Sequence, residues 1–352
     1  MTLILSINPG ATSTKFGLFD GYHELFKGEV PFIKDAQRHT TLIDQLVPRY
    51  DAIYTAIKDQ GYDPQDIEVA VGRGGILPPV EAGALLVDQH LIDYLLSHAE
   101  VVHPANLGAS IAQKFVDQAH QCVAYIYDPI SVDQMIPLAR FSGVKEIERK
   151  SIGHILNSRQ AAMHYAQTLG KSYHDVKVIV VHAGTGITLT AHSEGRMIDL
   201  ISDDEGPFSP ERSGGLPLRK FMAMCYNNSE KDMIEMTRHS AGLVSYLGTN
   251  DVRKVEAFID NGDQYAHLVL EAMAYQISKS IASLGAVLYG NIDGIIITGG
   301  FARSKRIIDW IKERVAFLGE VIIYPGEFEI EALAFGGYRA YLGEEEIHTI
   351  KR

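Results

Sequence analysis

Two stretches of this chain share one layout, and together they restrict its fold more than any other feature. Residues 3–21 read LILSINPGATSTKFGLFDG, and residues 177–195 read KVIVVHAGTGITLTAHSEG. Each is an apolar strand, a turn rich in Gly and Thr, a second strand and a polar turn. Short apolar runs bounded by Gly, Pro and Asn are the strand signal. The likeness is one of layout rather than identity. The chain has 352 residues, and a single hydrophobic core stops growing near about 250–300. A duplicated two-domain α/β fold is therefore predicted. Each domain would carry one glycine-rich hairpin tip, and a triphosphate could lie between two such tips in one cleft.

The remaining segments alternate. Glu24–Val30 reads as a third strand. A helical pattern runs within about Thr40–Gln60, where Pro48 is expected to divide or kink it. Val69–Val71 is a short buried strand opening into Gly72-Arg73-Gly74-Gly75. Helical patterns follow at Asp88–His98 and Leu107–His120, then a strand, Cys122–Tyr127, ending at Asp128-Pro129. The pattern shifts after Gly143. Asn157–Leu169 is helical, the second repeat continues into a strand at Arg196–Leu200, and the rest is mostly helical. Strands interrupt it at Gly294–Thr298 and Val321–Tyr324. The expected division is an N-terminal α/β domain over 1–150 and a C-terminal one over 151–326, with the helical segment 327–352 packing back on the first.

Composition excludes some function classes. The formal net charge is −12, which opposes broad binding to nucleic acid or to an anionic membrane. A local anion site built from a few cations and backbone N–H groups remains open. Neither Cys122 nor Cys225 lies in a zinc-ligand spacing. So few thiols in a long chain suit a reducing compartment. No apolar run reaches about 18 residues, and the start of the chain has no leader pattern. A cytoplasmic protein without nucleic-acid or membrane partners is expected.

Several motifs carry possible chemistry, and each has a plainer reading. In INPGATSTK, small residues let backbone N–H groups approach an anion; Asn8, Ser13 and Lys15 add donors and a charge. The plainer reading is a solvated turn, and the P-loop pattern is absent. His182 and Gly184-Thr185-Gly186 form the second tip, or simply a tight hairpin. Arg212, in FSPERSGGLP, can hold a phosphate or carboxylate with its planar fork, or face solvent. His103 and His154 are two of 14 histidines, most of which must be structural. Asp128 ends a strand, where catalytic groups collect in α/β folds, but Asp before Pro also makes turns. Gly299, Gly300 and Phe301 form a strand–Gly-Gly–helix junction suited to a nucleotide. Glu327, Glu329 and Glu331 stand at a helix start, where they either reach a metal or complement the helix dipole.

The order of these motifs is more specific than any one of them. INPGATSTK, HPAN, Asp-Pro after a strand, GH, HAGTG, RSGG, Asp251-x-Arg253 and TGG together resemble the acetate and butyrate kinase family over nearly the whole chain. PERSGGLP, YPGEFEIEALA, VGRGG and the shorter length are more similar to the butyrate branch. The resemblance implies the fold shared by acetate and sugar kinases, actin and heat-shock chaperones, built from ribonuclease H-like domains. It also implies reversible transfer of a phosphoryl group from ATP, with Mg²⁺, to a short-chain carboxylate such as butyrate or a branched C4–C5 acid, giving acyl phosphate and ADP. The C-terminal domain would bind the nucleotide, and a homodimer or larger homo-oligomer would be expected.

By the same resemblance, Asp128, His154 and Arg212 would be catalytic, and Arg73 and His103 would line the substrate site. Asn8, Ser13, Lys15, His182, Gly184, Thr185 and Gly186 would lie by the phosphates. Asp251, Arg253, Gly299, Gly300 and Phe301 would frame the adenosine. Asn8 and Glu331 would reach the metal, with Glu327 and Glu329 as alternative registers. Thr185 stands where acetate kinases carry Asn, and Arg73 falls near their substrate-binding Arg. Two other readings stay open from sequence: a superfamily kinase for a hydroxyl substrate such as a sugar, for which Asp128 could be the base, and a nucleotide-switched binding protein.

Overall fold

In the computed structural model, strand β1 (Leu3–Pro9) pairs antiparallel with β2 (Ser13–Asp20), and β2 with β3 (His23–Pro31). The structure describes residues 1–32, 41–99 and 101–350. Thr40, where the expected helical pattern begins, lies outside them, as do Lys351 and Arg352 of the expected C-terminal segment. The chain divides into two units, residues 1–133 with 328–352, and residues 134–327.

The first unit continues with α1 (Leu46–Asp59), β4 (Ile67–Gly72), β5 (Ala84–Leu86), α2 (Gln89–Ser97), α3 (Gly108–Gln118) and β6 (Val123–Tyr127). The second holds α4 (Ile155–Thr168), β7 (Val178–Ala183), β8 (Ile187–Ser193), β9 (Arg196–Ile201), α5 (Leu218–Cys225), α6 (Glu230–Arg238), α7 (Gly242–Leu247), α8 (Val252–Asp260), α9 (Gln264–Val287), β10 (Gly294–Gly299), α10 (Lys305–Val315) and β11 (Val321–Pro325). The chain then returns to the first unit as α11 (Glu329–Tyr341) and β12 (Ile347–His348).

The sheet orders are β12-β5-β6-β4-β1-β2-β3 and β11-β10-β7-β8-β9. The run β6-β4-β1-β2-β3 therefore recurs as β11-β10-β7-β8-β9. Each is a three-stranded antiparallel meander to which two strands are added in parallel. The two glycine-rich tips occupy equivalent places, between the first and second strands of each sheet. The inner strands β7 and β10 are buried along their whole length, as parallel strands covered on both faces must be.

In the first unit, Leu5, Ile7, Phe16 and Leu18 pack with Ile53 and Ile57 of α1 and Phe115 of α3. Burying each such side chain fully contributes about 1.5–3 kcal/mol. The opposite sheet face meets α11: a Cβ on Gly17 would lie 2.6 Å from Ile330, and Phe19 meets Phe335 edge-on at 5.7 Å. This packing brings the first turn of α11 to the β1–β2 tip.

Two sequence expectations are adjusted. Pro48 does not divide its helix: it sits in the first turn of α1, where its N–H would lack an intrahelical acceptor anyway. Gln134–Arg149 packs with the second unit rather than with the first domain. Its Ile136 N–H donates to Ile198 O at 3.0 Å, and Arg149 bonds Leu200 O at 2.5 Å and pairs with Glu205 at 2.9 Å. Strands β5 and β12 have three and two residues, too few to show a period. Among the described residues, no helix is long and apolar enough to cross a membrane.

Candidate functional site

In the first unit, Asn8 and Lys15 are directly opposite in the β1–β2 pair, with Glu29 next to Lys15 on β3. Cross-strand neighbours share a face, so these three form one row at the tip. Lys15 is exposed. The Ser13 hydroxyl donates to Glu29. Asn8 Nδ2 donates to Glu329 Oε2 at 2.5 Å, and the same Glu329 carboxylate pairs with Arg73.

Arg73 is placed by close backbone packing. A Cβ on Gly72 would overlap the Gly108 carbonyl, and one on Gly108 would overlap the Arg73 carbonyl. Only glycine at both positions lets α3 begin against the end of β4. His103 accepts from Ala105 N–H through Nδ1 at 3.1 Å. Desolvation of its ring, and then the Arg73 charge, hold its pKa below the usual histidine value. Asp128 ends β6 with a φ of +40°, a conformation uncommon outside glycine. It is buried, and its carboxylate accepts from Gly83 N–H at 2.8 Å.

Of the three glutamates at the start of α11, the structure sets Glu329 beside Asn8. Glu331, favoured from sequence, bonds Lys27 at 2.5 Å, and Glu327 is exposed before α11. Glu329 is the carboxylate that reaches Asn8. One helical residue turns the side chain by about 100°, so a two-residue slip carries it to another face.

A metal such as Mg²⁺ fits these donors in kind. The Asn8 carboxamide oxygen and the Glu329 carboxylate are hard oxygen ligands. Among the described residues, no group of three or more His, Cys, Asp or Glu could hold a metal alone.

In the second unit the tip between β7 and β8 gathers the other candidates. His182 and Thr188 are opposite in register. The His154 ring stacks on His182 with centroids 4.2 Å apart and planes 25° from parallel. His154 Nδ1 lies 2.8 Å from Thr188 Oγ1. Gly184 N–H donates to Gly186 O at 3.0 Å, closing the turn, and Thr185 is exposed at its end.

Arg212 reaches this tip because Ser209 ties its loop down. The buried Ser209 hydroxyl donates to Thr185 O at 2.6 Å and accepts from Arg212 N–H at 3.2 Å. The guanidinium pairs with Asp203, a carboxylate shared with Arg238 at 3.2 Å. Arg238 also pairs with Asp204 at 3.0 Å.

Gly299, with φ of +89°, lies against the Ala183 backbone beside the tip. Gly300 is exposed, while the Phe301 side chain belongs to the core. Asp251 and Arg253 form a two-bond pair at the start of α8, at 3.0 and 2.9 Å. That helix is linked to the turn after β10 by Ser304 Oγ donating to Glu256 at 2.6 Å.

The structure thus makes two groups: Asn8, Arg73 and Glu329 with Lys15 nearby, and His154, His182, Gly186 and Arg212. Thr188, Asp203, Ser209 and Arg238 are additions that sequence reasoning missed. Thr188 was accessible: a three-residue turn at Gly184–Gly186 sets His182 opposite Thr188. Ser209, Asp203 and Arg238 carry no such local signal.

The sequence model of the acetokinase family matches residues 153–323. The fold is similar to that of a propionate kinase from Francisella tularensis subsp. tularensis SCHU S4, with TM-score 0.77 and 18% identity over 96% of this chain and 99% of that one. It is similar to Porphyromonas gingivalis acetate kinase, with TM-score 0.76 and 17% identity over 94% and 98% of the two chains. A ROK hexokinase from Thermus thermophilus is more distant, at TM-score 0.51 and 14% identity over 98% and 100%. The chain therefore has the two-domain α/β fold common to acetate kinases and ROK sugar kinases, and its residues 153–323 match the acetokinase family.

Proposed function

We propose that this protein is a carboxylate kinase that transfers a phosphoryl group reversibly between ATP and a short-chain acid, with butyrate and branched C4–C5 acids preferred to acetate. The observation that carries the reading is the meeting of His154 and Arg212 at Gly186, at the tip of the β7–β8 hairpin. A guanidinium and an imidazole there suit an anion with several equatorial oxygens. The acetokinase match over residues 153–323 supports the carboxylate as acceptor. The butyrate preference rests on PERSGGLP, YPGEFEIEALA, VGRGG and the shorter length.

The chemistry asks for positioning more than for proton transfer. A carboxylic acid with a pKa near about 4–5 is already ionised at pH 7 and needs no base. Two anions must be brought into line, and electrostatic stabilisation then dominates. Arg212 would bind equatorial oxygens of the moving group with its fork, exchanging Asp203 for the ligand; Arg238 remains on Asp203. His154 is held in orientation by Thr188 and the His182 ring, so its hydrogen bond is preorganised. In the first unit, Lys15 would contact nucleotide phosphates, and Arg73 and His103 the acid. Asn8 and Glu329 would hold Mg²⁺, whose charge offsets that of the phosphates. Asp128, bonded to Gly83 N–H, would position the substrate side rather than abstract a proton.

Each extra buried CH₂ is worth about 0.8 kcal/mol, so neighbouring acids should differ several-fold. The test is hydroxylamine trapping of acyl phosphate with acetate, butyrate, isobutyrate and glucose as acceptors. Hydroxamate from the C4 acids in excess of acetate is expected. Absence of hydroxamate from every acid, with a sugar phosphate formed instead, would reject the reading.

A further inference from the structure

Arg49, on α1, has no place in the chemistry described so far, yet it is 1% exposed and sits directly behind the β1–β2 tip. Nη1 donates to Ser13 O at 3.1 Å and to Thr14 Oγ1 at 2.7 Å. Nη2 donates to Gly10 O at 2.9 Å and to Gln45 Oε1 at 3.0 Å. The guanidinium carbon stands 4.4 Å over the Phe32 ring. Nε is buried and has no partner among the described residues.

All these acceptors are neutral. Among the described residues, no carboxylate pairs with Arg49, and burial pushes its pKa down. Buried cations are ordinarily paired with an acid, because desolvation is otherwise uncompensated. Among the described residues the charge is kept without one, directly behind the tip.

The contacts also shape the turn. Gly10 O and Ser13 O are the carbonyls at its two ends, and both point inward to the guanidinium. Gly10 N–H closes the turn on Ser13 O at 2.7 Å, and Ala11 and Thr12 are exposed at its outer end. Thr12 O in turn accepts from Phe32 N–H at 2.8 Å, and Lys15 is exposed beside the turn. A turn of small residues lets backbone N–H groups approach an anion.

We propose that Arg49 is a positioning residue of the phosphate tip: it clamps the carbonyls of Gly10 and Ser13 inward, and its charge, paired with no carboxylate among the described residues, favours a nucleotide phosphate on the outer side. This rests on the kinase reading only for the identity of the anion. It makes the tip a two-layer device, with Lys15 in contact and Arg49 behind. A lysine at 49 would keep the charge but lose the fork that spans two carbonyls.

The experiment compares Arg49→Lys and Arg49→Met with the wild-type protein by calorimetric titration of ATP and, separately, of adenosine, which lacks the phosphates. Arg49→Met should weaken ATP about tenfold or more, the scale for a hydrogen-bonded charge, with adenosine unchanged within twofold. Arg49→Lys should fall between. Equal loss of ATP and adenosine would reduce Arg49 to a general structural role. No loss of ATP in a folded variant would also overturn the proposal. If Arg49→Met does not fold, Arg49→Lys decides by the same ATP-to-adenosine comparison. If the wild type binds ATP in an Arg49-dependent way but phosphorylates no carboxylate, the reaction assignment fails and the tip assignment stands.

Discussion

A Cβ at Gly186 would lie 2.6 Å from Nη1 and 3.0 Å from Cζ of Arg212, and 3.4 Å from Cε1 of His154. The hairpin tip accommodates the guanidinium because residue 186 has no side chain. The first prediction follows. Gly186→Ala should move Arg212 off its place and lower turnover by about 10–100-fold, since small misplacements of catalytic groups are costly. Kinetics beside a urea unfolding curve would check it. Full activity with a normal curve would mean that Arg212 works from another position.

Arg212 itself should matter more to turnover than to binding. If it acts on charge that develops as the phosphoryl group moves, Arg212→Ala should lower kcat about 10²–10³-fold and leave the KM for ATP almost unchanged. Arg212→Lys should recover only part. Arg238, which shares Asp203 but is half exposed, should tolerate Ala within about threefold, as expected of a surface ion pair. Near-normal kcat with a large rise in the KM for the acid would make Arg212 a substrate clamp instead.

The two glutamates of the first turn of α11 should separate cleanly. Glu329→Gln removes the carboxylate beside Asn8 and should raise the Mg²⁺ concentration for half-maximal rate about tenfold or more, the scale of losing a ligand or its support. Glu331→Gln only breaks a contact to Lys27 and should change it less than twofold. Steady-state rates over a Mg²⁺ series decide, and the reverse ranking would restore the register favoured from sequence.

Acid sensitivity should arise from a group remote from these motifs. His192 is fully buried between Tyr173 Oη, 2.7 Å from Nδ1, and Thr190 Oγ1, 2.7 Å from Nε2. Desolvation, with the Arg159 charge adding to it, pushes its pKa down to about 3. The unfolded chain regains a value near about 6.5 and so takes up the proton first as pH falls. The His192 contribution is fully present above that value and is lost progressively as pH falls toward about 3. At pH 5 the loss is about 2 kcal/mol relative to pH 7.5. Urea unfolding at both pH values should show it, and His192→Gln should flatten the difference. An equal slope in the variant would place the acid sensitivity elsewhere.

Much of the fold was legible along the chain because it is locally encoded. The Val-Ile-Val-Val run of β7, the Gly-Thr turn and the alternation of β8 each declare themselves within a few residues. Their counterparts in β1 and β2 do the same. The two similar layouts became two sheets with one shared strand order. Motif order likewise pointed to the residues gathered at the second tip, His154, His182, Gly186 and Arg212. What the sequence could not specify is which side chains meet across long separations. Asn8 and Glu329 are 321 positions apart, and the choice between Glu329 and Glu331 depends on how α11 lies on the sheet. Ser209 reaches Thr185 and Arg49 reaches Gly10 only once a loop and a helix have packed against their tips. Period and turn chemistry act between neighbours in the chain, whereas these contacts exist only after burial has set one element's rotation against another.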